Sequence, residues 1–207
     1  LPAHMPQTKK TQALMYAVNS FGPDHMSCEH DGMLNNFGPD IVALGITHAV
    51  PFDQWDEEKV RYVLYTEYFY SLLDTLELCD FCFSPGGLYG YRDIEEIVTA
   101  VTGWPMNLWS LMKVGERRIA LMHAFNYREG ASPRLDALPE RVFEPFTLGP
   151  RAGQRLSRAA VRTAVREYYR MIGWDVRTGR PDGGRLRELD LAWVDEALPA
   201  GGRRGDT

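Results

Sequence analysis

Two short stretches of this chain gather side chains able to do chemistry. The first, Phe21-Gly22-Pro23-Asp24-His25-Met26-Ser27-Cys28-Glu29-His30-Asp31, holds two histidines, one thiol and three carboxylates. Imidazole and carboxylate at that density can transfer protons or ligate a metal, and Gly22-Pro23 fixes a turn that can aim His25 at a pocket. The same composition also suits a solvated loop held by local caps, and His-x-x-Cys-x-His lacks the distant second pair of ligands of a structural zinc site. The second stretch, Asp74-Thr75-Leu76-Glu77-Leu78-Cys79-Asp80-Phe81-Cys82, contains a Cys-x-x-Cys pair. Redox-active pairs open a helix, where the dipole lowers a thiol pKa; this pair is expected to close one, where the dipole opposes a thiolate. Thioredoxin-like exchange is therefore disfavoured, and the bland alternative is buried thiols acting as small hydrophobes.

Other candidates are weaker. Pro85-Gly86-Gly87 lacks the Lys-Ser/Thr ending of a phosphate loop and reads as a turn. The aromatic stripe Tyr62, Tyr65, Phe69 reads as core, and His123, among Leu121, Met122, Ala124 and Phe125, as a satisfied interior residue. No Gly-x-Ser-x-Gly or Ser-His-Asp arrangement is visible.

The elements that must position these residues are helical. Asp56 can cap a segment whose first turn carries Glu57 and Glu58; Val60, Leu64, Tyr68, Leu72 and Leu76 then follow on one face, predicting a helix to about Leu78. Ile94, Ile97, Val98 and Val101 mark a shorter helix stopped by Gly103. A third runs from about Leu108 to Arg128, with Leu111, Met112, Ile119, Met122 and Phe125 inward. Its Gly115 costs about 1 kcal/mol against Ala unless close packing requires it. Ser157 caps a fourth, with Val161, Ala164, Val165, Tyr168 and Ile172 buried before Gly173. Thr11–Asn19 and Leu191–Leu198 read as short helices, and residues 132–153 as an extended connection anchored by Leu135, Leu138, Val142, Phe143 and Phe146. Strand signals are scarce. The expected organisation is one mainly α domain over residues 1–198 and a flexible tail over 199–207.

Composition narrows the function classes. The 207 residues carry 23 Lys plus Arg against 28 Asp plus Glu, a net charge of -5, with no basic block, which argues against nucleic acid and against a polybasic membrane patch. No apolar run reaches membrane-spanning length, and the start, Leu1-Pro2-Ala3-His4, lacks a signal-peptide pattern, so a soluble, cytoplasmic protein is expected. Three cysteines are an odd number, against a disulfide framework. Leu at position 1 leads to the expectation of a start inside a longer reading frame or after processing.

Taken in order, the motifs resemble the C-terminal region of the tungsten-containing aldehyde:ferredoxin oxidoreductases. The series is Ala13-Leu14-Met15-Tyr16-Ala17, Gly22-Pro23-Asp24-His25, Asp74 to Cys79, Gly115-Glu116-Arg117, Phe125-Asn126-Tyr127-Arg128-Glu129-Gly130, Leu138-Pro139-Glu140-Arg141, Glu167-Tyr168-Tyr169 and Gly173-Trp174-Asp175. The resemblance implies a multi-helix domain closing over a bis-pterin tungsten (or molybdenum) centre beside a [4Fe-4S] cluster. It implies Asp74 and Leu78 as pterin contacts, Cys79 as the last cluster ligand, and His25 as the histidine near the metal that donates to substrate oxygen. The family's Asp-x-x-Gly-Leu-Cys motif has Glu77 here in place of Gly. The family's Cys-x-x-Cys-x-x-x-Cys run is absent, leaving Cys28 and Cys82 as structural. The implied partners are an aldehyde, ferredoxin and an N-terminal portion of the same protein, and a chain parted from that portion is expected to be inactive and able to self-associate. The competing reading is a non-catalytic helical module, holding zinc through His25, Cys28 and His30 or holding nothing.

Overall fold

The computed structural model describes residues 4–36 and 38–199; the expected tail from 200 onward lies outside them. Among the described residues the order is α1 (Lys10–Val18), α2 (Asp31–Asn36), α3 (Pro39–Ala43), α4 (Glu57–Thr75), α5 (Asp80–Phe83), α6 (Tyr91–Thr102), α7 (Leu108–Arg128), α8 (Arg158–Ile172), α9 (Gly183–Glu188) and α10 (Ala192–Ala197), with a 3-10 turn at Glu140–Phe143. No strand occurs among them, only an isolated bridge between Trp174 and Pro181. The mainly α expectation stands.

The long helices begin where side chains satisfy otherwise orphaned amides. Asp56 accepts from the Lys59 amide at 3.2 Å, Asn107 from that of Ser110 at 3.0 Å and Ser157 from that of Ala160 at 3.3 Å. Gly103 and Gly173 end α6 and α8 in the left-handed conformation.

Helix α4 is the axle. The sequence predicts one buried face; in the structure Lys59, Thr66, Glu67 and Ser71 are buried as well as the apolar stripe. Polar side chains disguise an interior helix. Ala13, Leu14, Met15 and Val18 of α1 and Val161, Val165 and Tyr168 of α8 pack on one side of it. Leu34, Ile41, Leu44, Ile46 and Val50, with Ile94 of α6 and Leu111 of α7, pack on the other. Each such side chain taken from water contributes about 1.5–3 kcal/mol before entropy is counted. Helices α4 and α7 meet at Gly115, where an added Cβ would fall 1.9 Å from the Tyr68 carbonyl oxygen, and Ser71 donates to the Gly115 carbonyl at 2.9 Å. Close packing therefore requires this glycine.

Three expectations need correction. Phe125 is exposed, and Ile97 and Val101 face outward on α6 while Ile94 and Val98 are buried, so the apolar stripes are wider than the core they serve. In the 132–153 connection, Leu138 is buried and Val142 and Phe143 pack on the core, but Leu135 is exposed. The first long helix ends at Thr75, and Cys79 opens the short α5 rather than closing a helix, which removes the dipole argument against a thiolate.

Candidate cofactor-facing site

The histidine loop is tied down along its length. Asn19 donates to Ser27 Oγ at 2.9 Å, Ser27 donates to Asp24 Oδ2 at 2.7 Å, and the Met26 amide donates to the same oxygen at 3.2 Å. Gly22, at φ 99°, supplies a turn that an L side chain would strain. Asp31 is fully buried: Lys59 donates to Oδ1, and the Thr11 amide and hydroxyl donate to Oδ2 at 3.0 and 2.8 Å. Tyr70 donates to Glu29 at 3.0 Å. The three carboxylates of the loop thus serve as anchors.

Around His25 the structure adds two residues that sequence reasoning passed over. The Lys9 ammonium has no acceptor, so it donates to His30 Nδ1 at 3.0 Å and His4 Nδ1 at 3.2 Å. His30 is then the Nε2–H tautomer and donates to the His25 carbonyl at 2.8 Å. The His4 ring lies 5.1 Å from that of His25, and burial with the Lys9 charge holds His4 below the ordinary imidazole range. His25 itself is half-buried, and its ring makes no hydrogen bond to another described residue. Among the described residues it is the one ring of the three that takes part in no hydrogen bond.

The zinc arrangement through His25, Cys28 and His30 does not form. Cys28 is buried against Gln12 Nε2 at 3.6 Å, and burial pushes its thiol well above the ordinary range. Among the described residues no group of three His, Cys, Asp or Glu is arranged for a metal. His123 behaves as expected, donating to the Gly179 carbonyl at 2.6 Å and stacking on Trp174; burial lowers its pKa to about 4.

The thiol loop follows the C-terminal end of α4, which the Phe21 start of the histidine loop approaches, while Asp31 at that loop's far end pairs with Lys59 in the first turn. Asp74 pairs with Arg118 at 3.0 Å, and that guanidinium stands over the Phe21 ring at 6.0 Å, which joins the two loops. Asp80, raised to about 6 by burial, also faces the charges of Asp74 and of Asp24 from the histidine loop. Arg118 carried no sequence signal, because its role is set by contacts across three elements. Leu78 donates to the Leu73 carbonyl at 3.0 Å and Glu77 to that of Asp74 at 3.3 Å, a Schellman closure with Glu77 at φ 57°. That left-handed residue is the position at which the resembled motif has glycine. Leu78 is half-buried, Cys79 is exposed and unpaired in any disulfide, and the Cys82 thiol is raised by its hydrogen bond with Cys79. Cys79 is thus not the buried hydrophobe of the bland reading.

A family model described as aldehyde ferredoxin oxidoreductase, domains 2 and 3, matches residues 1–191. The chain belongs to the aldehyde ferredoxin oxidoreductase family. It is 30% identical over 193 residues to the tungsten-containing aldehyde ferredoxin oxidoreductase of Pyrococcus abyssi, covering 92% of this chain and 29% of that protein. The enzyme of the same name from Pyrococcus furiosus is 27% identical, with 93% and 30% covered. The chain thus spans about 30% of the length of these curated relatives, at their C-terminal part. A benzoyl coenzyme A reductase active-site complex, BamBC with 1,5-dienoyl-CoA, shares the fold with a TM-score of 0.69 at 20% identity, over 92% of this chain and 32% of that one. No helix among the described residues is long and apolar enough to cross a membrane.

Proposed function

We propose that this chain is part of a cytoplasmic enzyme that oxidises an aldehyde with water to a carboxylic acid at a bis-pterin tungsten or molybdenum centre, passing electrons through a [4Fe-4S] cluster to ferredoxin. The observation that carries the reading is the convergence of two loops on one end of α4, through Phe21, Arg118 and Asp74. The residues fit such groups. Cys79 presents an exposed sulfur with no disulfide, suited to hold one iron, while buried Cys28 is not; the other thiolates come from polypeptide beyond this chain. Asp74, half-exposed and turned by Arg118, can accept from a pterin N–H, with Leu78 as its apolar neighbour. The bound groups supply the two-electron oxidation. The chain's own contribution is positional: His25, its backbone held by His30, donates a hydrogen bond or proton to the substrate oxygen. Exposed Phe81, Leu88, Trp104 and Trp109 offer an apolar surface for the rest of the protein, and without it the isolated chain is expected to self-associate and to be inactive.

The test is His25→Ala in the intact enzyme. Aldehyde-dependent dye reduction should fall by about 10²-fold or more at unchanged tungsten content. Equal turnover at matched metal loading would remove His25 from the chemistry.

A further inference from the structure

A groove of about 320 Å³ runs between α8 and the 133–143 connection. Leu138, Phe143, Val161 and Val165 give it an apolar lining, and Arg158, Arg162 and Arg166 join them from α8. Their spacing of four residues puts the three arginines on one face of that helix. In a chain of net charge -5, α8 carries four arginines and one glutamate, so this face is cationic against the sign of the whole. We propose that the groove binds a monocarboxylate with an apolar tail, its carboxylate held by Arg162 and Arg166 and its tail laid on Phe143, Val161 and Val165. This stands on the groove alone and needs no part of the reaction proposed above.

The charges of the wall leave a place for one anion. Arg158 is already taken: it donates through both terminal nitrogens to the Glu140 carboxylate, and its guanidinium lies 4.1 Å from the centre of the Phe143 ring. The other acid of the wall, Asp136, accepts from Tyr169, and burial raises its pKa toward the neutral form. Among the described residues the Arg162 guanidinium has no hydrogen bond or ion pair, and that of Arg166 reaches only the Thr163 hydroxyl at 3.4 Å. Two neighbouring guanidinium forks without a carboxylate match one planar carboxylate. The lining sets the rest of the ligand. Apart from those two arginines, its polar side chains are engaged with one another, so a sugar or a peptide would bring hydrogen-bonding groups that find no partner, whereas a hydrocarbon tail brings none. The volume, at the low end for small-molecule pockets, suits a single ring or a medium-length chain.

Val161, Val165 and Val176 line this groove and not the larger cavity of about 680 Å³ along α1, whereas Val18 lines only the latter. In the intact protein with isotope-labelled methyl groups, octanoate should therefore shift the resonances of the first three and spare Val18. Octanamide, with the same tail and no charge, should bind about tenfold more weakly, and acetate and inorganic phosphate at the same concentration should shift none of them. Arg162 and Arg166 are exposed, so the double variant Arg162→Gln, Arg166→Gln should keep the fold and weaken octanoate by about tenfold or more. Equal binding of octanamide, shifts confined to Val18, or octanoate binding unchanged in the double variant would overturn the assignment. Shifts with inorganic phosphate that match those with octanoate would mark a phosphate site and overturn it too. So would the absence of any octanoate shift in the intact protein, the result expected if another part of that protein covers the groove.

Discussion

The histidine loop and the thiol loop meet across Arg118, yet they are built in opposite ways. Between Asn19 and Asp31 almost every polar side chain is bonded within the chain, down to a fully buried Asp31–Lys59 pair. Between Leu76 and Gly90 the chain leaves Cys79 exposed, Phe81 81% exposed and Leu88 82% exposed, and carries a glutamate in a left-handed conformation. The difference teaches which half of the site this polypeptide makes for itself. His25 is positioned by contacts within this chain, whereas Cys79, as the cluster ligand proposed above, would need its companion ligands from outside.

The sharpest way to break the comparison is to loosen the tight loop. Lys59→Met leaves the Asp31 charge buried with only Thr11 for a partner, and should lower urea-unfolding stability by about 3–5 kcal/mol. The double variant Lys59→Met, Asp31→Asn should recover part of that. A loss below about 1 kcal/mol for the single variant would mean that the loop is not anchored there.

A smaller effect comes from Glu67, buried on α4 and accepting from Tyr168 at 2.6 Å. Burial raises its pKa from 4.5 to about 8. The folded state therefore favours the protonated carboxyl; stability is fullest below about pH 4.5 and is lost as pH rises through about 8. Glu67→Gln should flatten the fall in melting temperature between pH 5 and 9 and be more stable than wild type at pH 9, on the order of 2 kcal/mol. A wild-type profile already flat over that window would contradict this.

Much of the scaffold was legible in the sequence, and the reasons are local. The helices Leu108–Arg128 and Arg158–Ile172 are read at their observed bounds because caps, apolar period and terminal glycines agree. Short α2, α3, α5 and α9 were not legible, since four to six residues carry no measurable period. Nor was the interior character of α4, because Lys59 and Glu67 look like surface residues until Asp31 and Tyr168 come to meet them from 28 and 101 positions away. Of the site, His25, Asp74, Leu78 and Cys79 stood out by motif; Lys9, His4 and Arg118 did not, because they act through contacts that no spacing encodes.

The smallest expected effect sharpens the contrast from the thiol side. Glu77→Gly, at φ 57°, should stabilise the chain by about 0.5–1 kcal/mol in the same urea assay, since glycine reaches that conformation without Cβ strain. Destabilisation instead would show that the glutamate side chain makes a contact worth more than the strain.

The central claim is that the sulfur of Cys79 completes a cluster whose other ligands lie outside this chain. Its most direct test is electron paramagnetic resonance with iron analysis on the intact, anaerobically prepared protein, wild type against Cys79→Ser. The account predicts a reduced [4Fe-4S] signal with four irons per protein in the wild type, lost or converted to a three-iron form in the variant. An unchanged four-iron signal in Cys79→Ser, or no cluster in the wild type, would contradict it.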